Sequence, residues 1–200
     1  IKKLTWEHSF KWKPPEFNTI DFLVTTKKDT TGGDFVGNIF KDGIDASSYE
    51  QLSQYKILIL RVGFDENKHG YVNPCADVIN NNLPTVTDID NEDSYKPLQF
   101  FPSNPSDVNG GICNIMLQSD QHNNKVLITE EDEEVFSDGM IVEFKYDFSR
   151  ENKWRWVPIR VRYDKTEEYR KGSPMYGNSY HVANSNWYSI HNPITSEMIS

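Results

Sequence analysis

The feature that most restricts the fold of this chain is a succession of short segments with strand character, separated by Gly, Pro and Asn. About five to seven such segments follow Pro15, and helical patterns longer than about 12 residues are absent between them. Strands that follow one another without intervening helices usually pair antiparallel. The sequence therefore predicts a mainly β protein, built as a small antiparallel barrel with long loop insertions.

The predicted strands are recognised by alternating or continuous apolar residues between turn signals. The strongest is residues 56–62, because it is rich in branched side chains. Residues 27–48 and most of 65–110 are predicted as turns and irregular loops. The other predicted strands are 18–24, 112–117, 126–128 and a hairpin that pairs 140–146 with 153–162.

A small antiparallel barrel of this size is most often an OB-fold, which has five strands. We predict such a domain for residues 16–171. Pro158 cannot donate a ladder hydrogen bond, so its strand is expected at a sheet edge or at a bulge. Within the same hairpin, Arg160, Arg162 and Asp164 are expected on one face of a strand that continues past residue 162. The tail 172–200 changes character and is predicted to be an extended linker into another unit.

The first 15 residues predict a further strand with two lysines on one face. Trp6, Phe10 and Trp12 alternate with polar positions, and Pro14 and Pro15 end the strand. Lys11 and Lys13 then project from the same face, about 7 Å apart. Two ammonium groups held this close repel each other, so either an anion lies between them or they are separately solvated on a surface strand.

The charge distribution favours a local anion site on an acidic protein. The net charge is −9, which argues against a broad basic surface for nucleic acid. Positive charge is concentrated in two segments. Residues 1–15 carry four Lys against one Glu, and residues 150–171 carry eight Lys and Arg against four Asp and Glu.

The sequence does not indicate a membrane span, a metal site or a signal segment. No run of 18 apolar residues is present, so we expect no membrane span. Cys75 and Cys113 lack metal-ligand spacing and the five histidines form no cluster, which indicates no metal site and a reducing, intracellular setting. The chain begins at Ile1 without a signal segment and reads as a piece of a longer protein.

Two acidic clusters are better explained by solvation than by metal binding. Asp88, Asp90, Glu92 and Asp93 lack the glycine and the distal glutamate of a calcium loop. Residues 130–134, which are all acidic, predict one helical turn or a loop with a solvated face. Motifs for a phosphate-cradling Gly loop, a zinc protease or a nucleophile elbow are also absent from the sequence.

The candidate binding residues are therefore cations on two distant segments. Lys11 and Lys13 lie on the first, and Arg160, Arg162 and Lys165 lie on the second. Lysine suits point contacts with phosphate oxygens, and arginine suits a bidentate grip. From the residues alone two interpretations stay open. The two segments form a clamp on a nucleotide triphosphate, or they are unrelated surface strands.

The extended sequence around both segments resembles the mRNA capping guanylyltransferases. Residues 11–14 and 18–22 are similar to the fifth nucleotidyltransferase motif and the segment after it. Residues 154–165 resemble the sixth motif, which lies in the OB domain. The tail 177–199 is similar to the entry into the cap methyltransferase of fused, multifunctional capping enzymes of large DNA viruses. The residues that carry the resemblance are Lys11-Trp12-Lys13-Pro14, Asn18-Thr19-Ile20-Asp21-Phe22, Trp154, Arg160, Arg162, Asp164-Lys165, Gly177-Asn178 and Asn186-Trp187.

The resemblance implies roles for these residues in transferring GMP from GTP to the 5′ diphosphate end of RNA. Lys11 and Lys13 would contact the α-phosphate of GTP. Arg162, Asp164 and Lys165 would close over the β- and γ-phosphates and orient the leaving pyrophosphate. Asp21 matches an acidic family position that is either a contact or a structural residue, and Arg160 is a further candidate contact. A divalent metal, Mg²⁺ or Mn²⁺, would assist.

The resemblance also implies how the chain is divided and where it works. Residues 1–15 would end a nucleotidyltransferase domain, 16–171 would be the OB domain, and 172–200 would lead into the methyltransferase in the same polypeptide. The expected location is the host cytoplasm (viral factory) or the virion. The family's nucleophilic Lys-x-Asp-Gly motif is absent, because Lys41-Asp42-Gly43 lacks the spacer residue. We therefore expect this chain alone to be inactive in the covalent step.

Two other functions share this architecture. An OB domain can guide single-stranded RNA or dock a neighbouring domain through a basic groove with exposed aromatics, here Trp154, Trp156 and Tyr163. A polynucleotide ligase uses the same kind of lid.

Overall fold

The computed structural model describes residues 18–40, 52–65 and 95–193. Within these ranges the chain forms strands of 2 to 14 residues, followed by two helices. The strands are β1 (Thr19–Thr26), β2 (Val36–Phe40), β3 (Leu52–Asp65), β4 (Tyr95–Gln99), β5 (Ile112–Met116), β6 (Gln118–Ser119), β7 (Lys125–Ile128), β8 (Val135–Phe136), β9 (Ile141–Tyr146) and β10 (Trp156–Val161), and the helices are α1 (Tyr163–Arg170) and α2 (Tyr180–His191).

All the strand pairs that join these elements are antiparallel, which confirms the mainly β prediction. The main sheet has the order β10-β9-β1-β3-β2, and β4 and β5 also pair with β3. With 14 residues, β3 is long enough to pair with β1 and β2 along one edge and with β4 and β5 along the other. Strands β6, β7 and β8 form a separate small sheet.

The row of strands β5-β3-β1-β9-β10 curves so that its two outer strands approach each other. The Asn114 N–H on β5 donates a 2.6 Å hydrogen bond to the Lys153 carbonyl just before β10. The Cys113 Sγ donates to the Trp156 carbonyl at 3.2 Å. No ladder joins β5 to β10, so the described strands do not form a closed barrel.

The core follows the period of two that the sequence displays. Ile20, Phe22 and Val24 on β1 are fully buried, as are Leu58 and Leu60 on β3. Aromatic rings fill the space between the strands, which compensates for a low apolar fraction because each ring buries a large area. The Phe22 ring lies 5.4 Å from Phe100, 5.9 Å from Phe144 and 5.1 Å from Trp156, measured between centroids.

The prediction that the tail is an extended linker is wrong for residues 180–191, which form α2. This helix packs on the core through Trp187, whose side chain is fully buried. The Trp187 ring lies 5.9 Å from Trp156 and 6.1 Å from Phe100, and its Nε1 donates to the Pro105 carbonyl at 2.9 Å. The sequence does not predict this helix, because Gly, Asn and Ser residues are frequent in and before it. Its buried residues Ala183, Trp187 and Ile190 nevertheless lie at helical spacing.

The other predicted strands are confirmed within one to four residues of their bounds, including the hairpin of β9 and β10. Pro158 lies on the last strand of the sheet order, next to a register shift between Pro158 and Arg160, as expected for an edge strand with a bulge. The loop predictions are wrong for β2 and for β4. The acidic run 130–134 lies in the turn between β7 and β8. Neither described helix is long and apolar enough to cross a membrane.

Candidate phosphate-binding site

Asp21 is the centre of the candidate site, and the strand alternation places it there. Its neighbours Ile20 and Phe22 point into the core, so the Asp21 side chain projects from the opposite face of β1. That face is covered as well, since Asp21 is only 5% exposed. A buried carboxylate needs cationic or hydrogen-bonding partners, because desolvation otherwise makes its charge unfavourable.

Arg162 and Lys165 are those partners. The Arg162 Nη1 donates to Asp21 Oδ2 at 2.6 Å, and the Lys165 Nζ donates to the same oxygen at 2.7 Å. The two cationic side chains are 26% and 21% exposed. Two of the predicted phosphate-binding residues are therefore brought to one point, at a single carboxylate oxygen near the surface.

The local fold that makes this possible differs from the predicted one. The alternation in the sequence predicts a strand that continues past residue 162, with Arg160, Arg162 and Asp164 on one face. This expectation is wrong, because β10 ends at Val161 and α1 begins at Tyr163. A helical turn brings residues three apart to the same side. The change from strand to helix is therefore what directs both cations at Asp21.

Thr166 fixes the start of α1 against β9. The Thr166 hydroxyl donates to the Arg162 carbonyl at 2.8 Å and accepts from the Ile141 N–H at 2.9 Å. The Arg162 N–H donates to the Ile141 carbonyl at 2.8 Å. Since Thr166 is 1% exposed, these bonds are shielded from water. The backbone of Arg162 is thus held in place before its side chain makes any contact.

Asp164 holds the other side of the Arg162 guanidinium. Arg162 donates through Nη2 to Asp164 Oδ2 at 3.0 Å and through Nε to Oδ1 at 3.3 Å. The Arg162 hydrogen bond lowers the pKa of Asp164, and the hydrogen bond to Asp164, together with the charge of Asp21, raises the pKa of Arg162. A carboxylate repels phosphate, so the geometry points to positioning of Arg162 by Asp164.

Arg160 forms a second ion pair on the same face. Its Nε donates to Oε2 of Glu143, and the Thr19 hydroxyl donates to Glu143 Oε1 at 2.5 Å. Glu143 lies opposite Asp21 in the β1–β9 register and opposite Arg160 in the β9–β10 register. All the predicted site residues that the structure describes, which are Asp21, Arg160, Arg162, Asp164 and Lys165, therefore belong to one face and to two neighbouring ion-pair groups.

The tail segment before α2 holds the backbone of Asp21. The Asn178 N–H donates to the Asp21 carbonyl and the Asp21 N–H donates to Asn178 Oδ1, both at 2.8 Å. Gly177 forms a bridge with Phe22, and Ser179 forms one with Gly63. The segment 177–179 is thus inserted between β1 and β3 where their ladder ends, and we call it the wedge. Sequence reasoning missed the contacts of Asn178, Glu143 and Thr166.

Other predicted residues lie elsewhere or cannot be placed. Lys11 and Lys13 fall outside the described residues, as do Cys75, the 88–93 acidic cluster and the boundary at residue 15. In the described ranges, no group of three His, Cys, Asp or Glu side chains could hold a metal ion. A polar surface cavity of about 680 Å³ between β6, β7 and β8 is lined in part by Glu130 and Glu133 of the acidic run, but by none of the predicted binding residues.

The three aromatic residues of the RNA-binding alternative separate into different environments. Trp156 is 2% exposed and belongs to the core, so it is unavailable to a ligand. Tyr163 is 52% exposed at the start of α1. Trp154 is half-buried in the loop between β9 and β10, with its ring 5.3 Å from that of Tyr55.

Comparison with known proteins identifies a relative over almost the whole chain. No protein-family model matches the sequence. The chain is 31% identical over 194 residues to a probable mRNA-capping enzyme of Acanthamoeba polyphaga mimivirus, which covers 96% of this chain. The resemblance to mRNA capping enzymes is confirmed. The chain spans only 13% of that relative, so the similarity concerns a small part of the longer viral protein.

Proposed function

We propose that this chain is the OB-fold lid of a viral mRNA guanylyltransferase, which closes over GTP and orients its phosphates. The observation that carries the proposal is the convergence of Arg162 and Lys165 on one oxygen of Asp21. An oxygen of a phosphate accepts hydrogen bonds from the same two donors with similar geometry. The two side chains are partly exposed beside this oxygen, so a phosphate can approach their remaining N–H groups.

The strand connectivity supports the assignment to the OB type. Five strands in the order β5-β3-β1-β9-β10, with the two outer strands in contact, match a five-stranded, partly open Greek-key barrel. The remaining strands, β2, β4 and β6 to β8, then lie in the connections between the barrel strands. The motif cations follow the last strand of this barrel, where β10 passes into α1.

The proposed chemical role is electrostatic. In the covalent step a lysine of the nucleotidyltransferase domain attacks the α-phosphorus of GTP, its bond to the bridging oxygen breaks, and pyrophosphate leaves with that electron pair. Arg162 and Lys165 would stabilise the negative charge that develops on the pyrophosphate. Each charge-assisted hydrogen bond of this kind contributes roughly 1.5–3 kcal/mol. Lys11 and Lys13 would contact the α-phosphate, and the GMP would then pass to the RNA 5′ diphosphate end.

The carboxylates in the described ranges play a supporting role in this proposal. Within the candidate site, Asp21 and Glu143 are buried against cations, and Asp164 is 64% exposed. They do not form a donor set for Mg²⁺ or Mn²⁺. The divalent ion that nucleotidyl transfer uses therefore does not fit these residues. Asp21 and Asp164 instead hold Arg162 between them before GTP arrives, so less side-chain freedom is lost on binding.

The test separates the two half-reactions in the full-length enzyme that contains this chain. Arg162→Ala or Lys165→Ala should lower the rate of GMP-adduct formation from GTP by about 10- to 100-fold per contact. Transfer of GMP from a preformed adduct to diphosphate-ended RNA should change much less, because no pyrophosphate leaves in that step. Lys171→Ala is the matched control, since Lys171 is the C-cap residue of α1, is 76% exposed and, among the described residues, pairs with Glu167 alone. Equal loss in both half-reactions would contradict the lid assignment.

A further inference from the structure

The edges of the main sheet are protected to different degrees. An edge strand exposes unpaired backbone N–H and C=O groups, and proteins protect such strands with charges, prolines, bulges or covering loops. The outer edge of β10 is covered by the acidic turn 130–134. The Glu130 N–H donates to the Pro158 carbonyl at 2.8 Å, and the Val161 N–H donates to Glu134 Oε2 at 2.6 Å. These contacts leave β10 unavailable for pairing with a further strand.

The outer edge of β4 is protected by Pro97. On β3, the Leu60 carbonyl accepts from the Phe100 N–H just after β4, so the even-numbered residues of β3 direct their backbone groups towards β4. Gly63, which pairs with Pro97, directs its own backbone groups to the opposite side, where its N–H donates to the Asn178 carbonyl. The backbone of Pro97 therefore faces the outer edge of β4, where a proline offers no N–H.

β2 lies at the end of the sheet order opposite to β10, and the hydrogen bonds of β3 show how β2 is oriented. The Gln54 carbonyl accepts from the Leu117 N–H, on the side of β5. Tyr55, the next residue, therefore directs its backbone groups at β2, where it pairs with Gly37. Backbone groups alternate between the two edges of a strand, so both neighbours of Gly37 direct theirs away from β3.

The outer edge of β2 has no such protection. Val36, Asn38 and Phe40 direct their N–H and C=O groups to it, and in the described ranges no backbone group pairs with them there. The strand contains no charged residue and no proline, and its register with β3 is continuous. Val36 is 40% exposed and Ile39 is 39% exposed. An uncharged edge with exposed apolar side chains is a template for pairing with another strand.

We propose that β2 pairs antiparallel with β2 of a second copy of this chain. Two antiparallel residues exchange both of their hydrogen bonds only where both backbones face each other. A two-fold axis at Asn38 meets this condition, because it places Asn38 opposite the same residue of the second copy and Val36 opposite Phe40. This pairing forms up to about six hydrogen bonds. It uses the free edge of both copies, so assembly stops at the dimer.

The charges around β2 favour a second copy as the partner strand. Because β2 is uncharged, two copies can meet along it without like-charge repulsion. Asp34, two residues before β2, is neutralised, since its carboxylate accepts hydrogen bonds from Lys28 and Lys56. A partner strand for this edge has to be extended and uncharged, and β2 itself has both properties.

The proposed dimer is independent of the proposed GTP contacts. Asp21, Arg162 and Lys165 lie on β1 and around the start of α1, and none of them belongs to β2. A monomeric chain would therefore leave the lid proposal unchanged. Loss of GTP handling in the Arg162 and Lys165 variants would likewise leave the dimer unchanged.

Sedimentation velocity of the 200-residue chain at about 5–500 µM tests the pairing. We expect a reversible monomer–dimer equilibrium with a Kd on the order of 10–100 µM, because a five-residue strand buries a small area compared with stable interfaces. Asn38→Lys and Asn38→Asp should each raise this Kd at least about tenfold, because like charges would lie directly opposite each other. An equimolar mixture of the two variants should associate again, since the opposite charges then pair.

Gln118→Lys is the matched control, because it adds the same charge at an exposed strand position outside the main sheet. Its Kd should equal that of the unaltered chain. Amide hydrogen exchange adds a second measurement: protection of the Asn38 N–H should rise with protein concentration, whereas that of the Gly37 N–H, which faces β3, should not. A chain that stays monomeric at about 500 µM overturns the proposal. A dimer whose Kd is unchanged in both Asn38 variants, or a mixture of these variants that does not associate, overturns it too.

Discussion

Replacing Asp21 with Asn tests whether this carboxylate organises the candidate phosphate site. The substitution keeps the size of the side chain but removes its charge. Asp21 is 5% exposed, and its Oδ2 accepts from Arg162 at 2.6 Å and from Lys165 at 2.7 Å. After the change both cations remain next to a neutral amide, which gives weaker hydrogen bonds than a carboxylate.

The size of the effect follows from these contacts. Two charge-assisted hydrogen bonds contribute roughly 3–6 kcal/mol together. The Asn oxygen retains part of this hydrogen-bond free energy. Arg162 and Lys165 can also turn towards water, because their side chains are about a quarter exposed. We therefore expect Asp21→Asn to lower the free energy of unfolding by about 2 kcal/mol, and Asp21→Ala by roughly 3–4 kcal/mol. For a chain of this length the former corresponds to a decrease in Tm of about 4–8 °C.

The assay is urea unfolding of the 200-residue chain, followed by circular dichroism. Asp164→Asn is the matched control, because Asp164 contacts the same Arg162 but is 64% exposed, and it should change the free energy of unfolding by less than about 0.5 kcal/mol. A double-mutant cycle of Asp21→Asn with Lys165→Met should give a coupling of about 1 kcal/mol. If Asp21→Asn and Asp164→Asn have the same small effect, Asp21 does not organise this site.

Two further predictions concern the wedge and the acid stability of the sheet. Gly177→Ala should destabilise the chain by about 3 kcal/mol, because the backbone φ is +81° and the new Cβ would lie 2.3 Å from the Asp21 carbonyl oxygen. The control is Gly172→Ala, where φ is +85° but the space around the residue is open. It should lower the free energy of unfolding by only about 1–2 kcal/mol in the same urea assay. Hydrogen bonds from Lys28 and Lys56 hold the pKa of Asp34 far below its ordinary value, so its contribution to stability is complete above about pH 4 and is lost as the pH falls towards the folded-state pKa. Asp34→Asn should therefore flatten the loss of stability measured by urea unfolding between pH 5 and pH 2, and an unchanged slope would contradict this.

Much of the sheet could be predicted because alternation is a local property. The run from Ile20 to Val24 places Ile20, Phe22 and Val24 on one face, and their burial fixes the register, although the opposite face is buried as well. β2 was not predicted, because Val36 and Ile39 are about 40% exposed and Gly37 interrupts the pattern. That strand exists because β3 extends beyond β1 and offers a free edge for pairing. The formation of β2 therefore depends on a tertiary contact, which a local sequence pattern does not reveal.

The sequence predicts which residues belong to the site, but not how they are arranged in space. Arg162, Asp164 and Lys165 were selected from charge and from a family motif, yet their placement depends on where β10 ends. The alternating Val157, Ile159 and Val161 pattern extends to Tyr163 in the sequence and indicates a longer strand. Thr166 decides otherwise, because its hydroxyl bonds both the Arg162 carbonyl and the Ile141 N–H. A single buried hydroxyl of this kind leaves no periodic signal.

Asp21 joins the motif cations to the tail of the chain through two different parts of the same residue. Its carboxylate binds Arg162 and Lys165, while its backbone N–H and carbonyl both bind Asn178 of the wedge. The wedge leads directly into α2, which is anchored in the core by Trp187. A displacement of α2 relative to β1 would therefore have to break the Asn178 hydrogen bonds that hold the backbone of Asp21. For the proposed lid, this means that closure over GTP moves the sheet, the cations and α2 together, with any hinge outside residues 177–191.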